Sequence, residues 1–132
     1  MKKIVLTGIV LAAFNINPVQ AAPLDAAGAS KLLSKAGCMT CHTTDKDKIG
    51  PAYKEVAARY ANPSPEILAY LKGEQPVDYL VKKVRTGTKP KLNKNWVKSK
   101  AGKAYGLMTP NPPSKISDAD LKDLITYILT LK

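Results

Sequence analysis

The chain has 132 residues, with 21 Lys plus Arg against 10 Asp plus Glu for a formal net charge of +11, and it holds only two Cys, one His and three Met. That length supports one domain and leaves too little interior for two. A single histidine and two cysteines exclude multi-histidine zinc sites, a four-thiolate metal site and a disulfide framework, so any chemistry rests on very few groups.

Lys2 and Lys3 make a short positive start, residues 4–14 form an apolar run interrupted by Thr7 and Gly8, and Val19-Gln20-Ala21 offers the small residues a signal peptidase reads. The run falls well short of the roughly 20 apolar residues a spanning helix needs, and Pro18 follows it. We therefore expect residues 1–21 to be a signal peptide, cut near Ala21 or Ala22, in preference to a membrane anchor. The mature chain, residues 22–132, is then one exported domain with 19 basic and 10 acidic residues.

A first helix is expected over residues 26–35, capped by Asp25 and broken by Gly37. Gly50-Pro51 marks a loop ahead of a short helix over 53–60, and Asn62-Pro63-Ser64-Pro65 punctuates the chain. Residues 66–72 allow about two further turns before Gly73, and Pro76 suits the first position of a helix running to about Arg85 and ended by Gly87. Residues 88–115 lack apolar periodicity and hold four of the ten prolines, which predicts a long loop. Ser117 with Asp120 then opens a final helix whose stripe is Leu121, Leu124, Ile125, Ile128 and Leu129. Ala27 and Gly28 beside Leu32 offer a small face against which that stripe could pack. With no useful strand pattern, the expected fold is all-α, with four to five short helices and no repeats.

The first helix delivers the chain into Cys38-Met39-Thr40-Cys41-His42, a C-x-x-C-H sequence. Two thiols three apart on one turn can reach the two vinyl groups on one porphyrin edge, and the adjacent histidine then lies beneath the iron. A thiol redox pair and a plain structural disulfide are the competing readings. The first wants a βαβ context, which is missing, and the second explains neither the adjacent lone histidine nor the long loop. The expected cofactor is therefore one covalently attached haem c.

A second axial ligand would come from Met, His or Lys, and there is no second His. Met1 leaves with the signal peptide and Met39 sits inside the attachment loop, which leaves Met108, in a segment stiffened by Pro110, Pro112 and Pro113. The alternative is that Met108 simply fills core space. A methionine ligand favours reduced iron and suits electron transfer.

On these residues the sequence resembles a class I monohaem cytochrome c of the bacterial c-551/c-552 type. The segments that carry the likeness are residues 32–42, Ile49-Gly50-Pro51-Ala52-Tyr53-Lys54-Glu55-Val56-Ala57, and Met108 followed by Pro110, Pro112-Pro113 and Ile116-Ser117-Asp118. The resemblance implies a helical fold wrapped around one haem, His42 and Met108 as iron ligands, and a Pro51 carbonyl that accepts the His42 N–H. It also implies a tryptophan near a haem propionate, the place Trp96 takes; Trp96 reads equally as a packed aromatic. Tyr53 and Tyr105 read either as haem-pocket donors or as core. The stretches between Arg59 and Pro76 and between Lys89 and Gly106 are longer than the resemblance leads one to expect.

From Tyr79 to Ser117 stand ten basic residues, Lys82, Lys83, Arg85, Lys89, Lys91, Lys94, Lys98, Lys100, Lys103 and Lys115, and no acidic one. A solvated loop is the plain reading. The functional reading is a docking face for acidic redox proteins, with an anionic membrane surface as a second option and nucleic acid set aside for an exported haem protein. The expected function is one-electron transfer by a periplasmic monomer. The rival readings are a dedicated electron-accepting subunit of a periplasmic dehydrogenase and, ranked lower, a haem peroxidase or gas-binding protein, for which no distal His or Arg pair is supplied.

Overall fold

The computed structural model describes residues 22–88 and 105–132. The expected signal peptide, Trp96 and the lysines 89, 91, 94, 98, 100 and 103 lie outside the described residues. Five α-helices, α1 (Ala26–Lys35), α2 (Tyr53–Tyr60), α3 (Pro65–Leu71), α4 (Pro76–Thr86) and α5 (Asp118–Ile128), and one 3₁₀ turn (Cys38–Thr40) make up the regular structure, with no strand among the described residues.

Four of the five helices, all but α2, start where local chemistry supplies an acceptor or removes a donor. The Asp25 carboxylate accepts the Gly28 N–H at 2.7 Å, the Ser117 hydroxyl accepts that of Asp120 at 3.1 Å, and Ser64 caps Ile67 at 3.4 Å. Prolines at the first positions of α3 and α4 have no N–H to leave unbonded. α1 and α4 are stopped by glycines that follow them in backbone conformations of positive φ, Gly37 at 73° and Gly87 at 69°.

α5 is the hub of the core, packed on α4, α1 and α2. Its stripe of Leu121, Leu124, Ile125 and Ile128 is buried against Leu33, Val56, Tyr60 and Leu80. Burying each such side chain contributes about 1.5–3 kcal/mol. On α1 the buried face is Ala29 and Leu33. Gly28 instead faces Leu24, whose Cδ1 would lie 2.8 Å from an added Cβ, so the small face expected to meet α5 serves the helix entry. The segment between Arg59 and Pro76 is a built part of the fold: α3 sends Ile67 and Leu71 into the same core and leaves Leu68 exposed.

Candidate haem site

The C-x-x-C-H segment is shaped by the end of α1. The Ala36 N–H closes on the Leu32 carbonyl at 2.9 Å and Gly37 turns the chain left-handed, which starts a new, tighter turn at Cys38. The Cys38 carbonyl accepts from both Cys41 (3.2 Å) and His42 (3.1 Å), so the two cysteines and the histidine sit on one compact turn. Both thiols are free and half-buried. Burial pushes the Cys38 thiol up.

Residues 43–52 fold back over His42. Gly50 donates its N–H to the Cys41 carbonyl at 2.8 Å, and Tyr53 and Lys54 donate theirs to Thr43 (2.9 Å) and Thr44 (3.0 Å). This return brings the Pro51 carbonyl to 2.7 Å from His42 Nδ1. A carbonyl can only accept, so Nδ1 carries the proton and Nε2 keeps its lone pair. Burial lowers the His42 pKa, with the Pro51 carbonyl partly opposing it, so the ring is held neutral, the form a metal takes. The imidazole is also gripped from its sides. Tyr53 stacks on it at 5.2 Å between centroids with an 18° interplanar angle. At Gly50 an added Cβ would lie 2.5 Å from His42 Cε1, so only a glycine lets the loop press this closely on the ring.

Met108 lies on an irregular strap held to α4 and to the loop after His42. Its N–H donates to Thr88 Oγ1 at 2.8 Å, and its carbonyl accepts the Thr88 N–H at 2.9 Å. Beside this pair, an added Cβ on Gly87 would lie 2.5 Å from the Met108 carbonyl oxygen. Further along, Asn111 donates its N–H to the Val84 carbonyl at 2.9 Å. Arg85 spreads its guanidinium over the Asn111 carbonyl (3.0 Å), the Ile116 carbonyl (2.9 Å) and the Asp118 carboxylate (2.6 Å). On the other side of Met108, Gly106 donates to the Ile49 carbonyl at 2.8 Å and the Tyr105 hydroxyl donates to Asp47 at 2.9 Å.

The structure thus brings Cys38, Cys41, His42, Pro51 and Tyr53 together and ties the Met108 strap to the loop that covers His42. Tyr53 is a core residue and a support for the imidazole at once, with its hydroxyl against the Cys38 thiol and its titration pushed up chiefly by burial. Tyr105 is a strap residue rather than core. Sequence reasoning missed Thr88 and Asp47 as parts of the site and read Gly50 only as a loop marker; the glycine that ends α4 was the one signal pointing toward Thr88. It also counted Arg85 in the docking face, whereas its side chain is 17% exposed and serves three acceptors.

A class of protein follows from this arrangement: a small helical domain with a cysteine pair, a neutral half-buried imidazole and a methionine-bearing strap tied to the loop over that imidazole. The cytochrome c family profile matches residues 26–132, and the chain belongs to that family as a class I monohaem cytochrome c. It is 31% identical over 102 residues to cytochrome c-552 of Hydrogenobacter thermophilus, covering 77% of this chain and 80% of that protein. It is 35% identical over 101 residues to cytochrome c2 of Rubrivivax gelatinosus, covering 76% and 93%. Among solved structures, wild-type Nitrosomonas europaea cytochrome c552 superposes with a TM-score of 0.54 at 31% identity, covering 78% of this chain and 99% of that one. The family carries one covalently attached haem c with its iron and serves electron transport. The residues present fit that group: a free Nε2 lone pair on an imidazole fixed by Pro51 and Gly50, and two unpaired thiols on the same turn.

Proposed function

We propose that the chain is a periplasmic one-electron carrier whose haem is held by thioethers from Cys38 and Cys41 and whose iron is ligated by His42 and Met108. The observation that carries this reading is the commitment of His42 Nδ1 to the Pro51 carbonyl, which aims the ring's remaining lone pair at a metal and keeps the imidazole from turning. The bound haem supplies the one-electron iron couple. The protein's part is to hold. Gly50 and Tyr53 fix the imidazole, Thr88 fixes the backbone of Met108, and the strap limits the entry of water and other ligands. A ligand set that keeps its geometry in both oxidation states leaves little to reorganise when an electron moves.

The test is an absorption spectrum of the purified exported protein, oxidised and reduced, repeated for Met108→Ala. A weak sulfur-to-iron band in the wild type that vanishes in the variant is the expected result; a wild-type protein without that band overturns Met108 ligation.

The partner in this reading is an acidic redox protein that docks on the basic segment bearing Lys89, Lys91, Lys94, Lys98, Lys100 and Lys103. Opposite charge raises encounter rates and is screened by salt, so reduction by such a partner slows as ionic strength rises. A second reading is a cytochrome subunit fixed to a periplasmic dehydrogenase, for which the surface around Leu68, 53% exposed beside a groove lined by Pro63, Leu71, Glu74, Gln75 and Pro76, offers a place for a fixed partner. Co-purification with a dehydrogenase separates the two.

A further inference from the structure

Among the described residues, the strap is fastened to different parts of the fold on the two sides of Met108. Towards the C-terminus it is bound to α4 through Thr88, Val84 and Arg85, all on or just after a regular helix. Towards the N-terminus two links stand among the described residues, the Gly106 N–H to the Ile49 carbonyl and the Tyr105 hydroxyl to the Asp47 carboxylate. Both run to the loop that covers His42. Gly106 is packed closely on Ile49, whose Cγ2 would lie 2.6 Å from an added Cβ.

Asp47 is itself held in place. One carboxylate oxygen accepts the Ala52 N–H at 2.9 Å at the start of α2, and the other accepts the Tyr105 hydroxyl at 2.9 Å. A single carboxylate therefore joins the His42 side of the site to the Met108 side, across 58 residues of sequence. The loop under it is closed by the Lys48 N–H on the Gly50 carbonyl at 3.0 Å and by Gly50 on Cys41. Tyr105 remains a donor through neutral and mildly alkaline pH, since its pKa is pushed up to about 12 by partial burial and by the carboxylate it faces.

We propose that Asp47 and Tyr105 form a latch that holds the Met108 strap against the loop covering His42, and that this latch sets how readily Met108 gives way to an outside ligand. The proposal rests on Met108 being the distal ligand. For an outside ligand to enter, the thioether must swing away, and among the described residues the latch and the Gly106–Ile49 link are what tie the strap to the loop covering His42. Asp47 and Tyr105 are thus positioning residues, acting on the iron only through Met108. Removing the latch raises the fraction of molecules with the strap open, and an added ligand binds more tightly by that same factor.

The experiment is a titration of the oxidised haem-loaded protein with imidazole, followed by its absorption spectrum, for wild type, Tyr105→Phe, Asp47→Ala and the double variant. Tyr105→Phe leaves the Asp47–Ala52 bond in place and so separates the latch from the cap of α2. Imidazole affinity is expected to rise about fivefold or more in Tyr105→Phe. The double variant should gain no more than the larger single effect, because both changes remove the same Tyr105–Asp47 bond. Lys54→Ala, which breaks the neighbouring Asp45 ion pair without touching the latch, should bind imidazole as the wild type does. Wild-type affinity in Tyr105→Phe, or full additivity in the double variant, overturns the latch. Met108→Ala is run alongside: if it leaves the spectrum unchanged, the ligation reading falls and the latch with it. If it changes the spectrum while Tyr105→Phe changes nothing, only the latch falls.

Discussion

Thr88 and Met108 hold each other by two hydrogen bonds, the Thr88 N–H to the Met108 carbonyl at 2.9 Å and the Met108 N–H to the Thr88 hydroxyl at 2.8 Å. Both backbone polar groups of Met108 are thereby committed to the residue just beyond α4. In the proposed ligation the thioether is a weak ligand, and a fixed backbone keeps it within reach of the metal. The pair supplies that constraint without a regular element around Met108.

Thr88→Val keeps the shape of the side chain and removes the acceptor. The half-buried Met108 N–H is then left unsatisfied, which costs about 1–2 kcal/mol. Denaturant unfolding of the haem-loaded protein should show that loss, and Thr88→Ser, which keeps the hydroxyl, should recover most of it.

Gly50→Ala places a methyl group where the His42 ring already stands, 2.5 Å from Cε1. The ring or the loop must move, at a cost of about 1–3 kcal/mol. The expected outcome is a lower yield of haem-loaded protein and a shifted spectrum in what is recovered, measured against wild type expressed in parallel.

Arg85→Lys retains the charge and loses the fork. One ammonium cannot serve the Asn111 and Ile116 carbonyls and the Asp118 carboxylate together, so two of three acceptors lose their donor. Unfolding stability should fall by about 2 kcal/mol. If a single charge at this position were enough to hold the joint, the variant would match wild type in stability.

Alkali should weaken the fold through Tyr105. Its hydroxyl ionises near pH 10 in an unfolded chain and at about 12 in the folded one, where partial burial and the facing Asp47 and Glu55 carboxylates disfavour the anion. Between those values the folded state holds a proton that the unfolded state has lost. The stabilisation is therefore complete below about pH 10 and lost as pH climbs towards 12. Unfolding measured at stepped alkaline pH should show this decline in wild type and a shallower one in Tyr105→Phe.

The elements legible in the sequence were those whose causes are local. Asp25 and Ser117 cap the helices that follow them, Pro76 opens α4, Gly37 and Gly87 end α1 and α4, and the Cys38-Met39-Thr40-Cys41-His42 turn carries its meaning in five consecutive residues. The periodic stripe of α5 announced a core-facing helix because its spacing is set by the helix itself. Tertiary structure alone decided which distant groups meet. It paired Thr88 with Met108 and Tyr105 with Asp47, took Arg85 out of the charged surface and into the joint with α5, and gave α1 a packing face of Ala29 and Leu33 in place of Ala27 and Gly28. A cap or a turn is determined by atoms a few bonds away, whereas a hydrogen bond spanning 20 or 58 residues forms only when the whole core has closed and brought its two ends together.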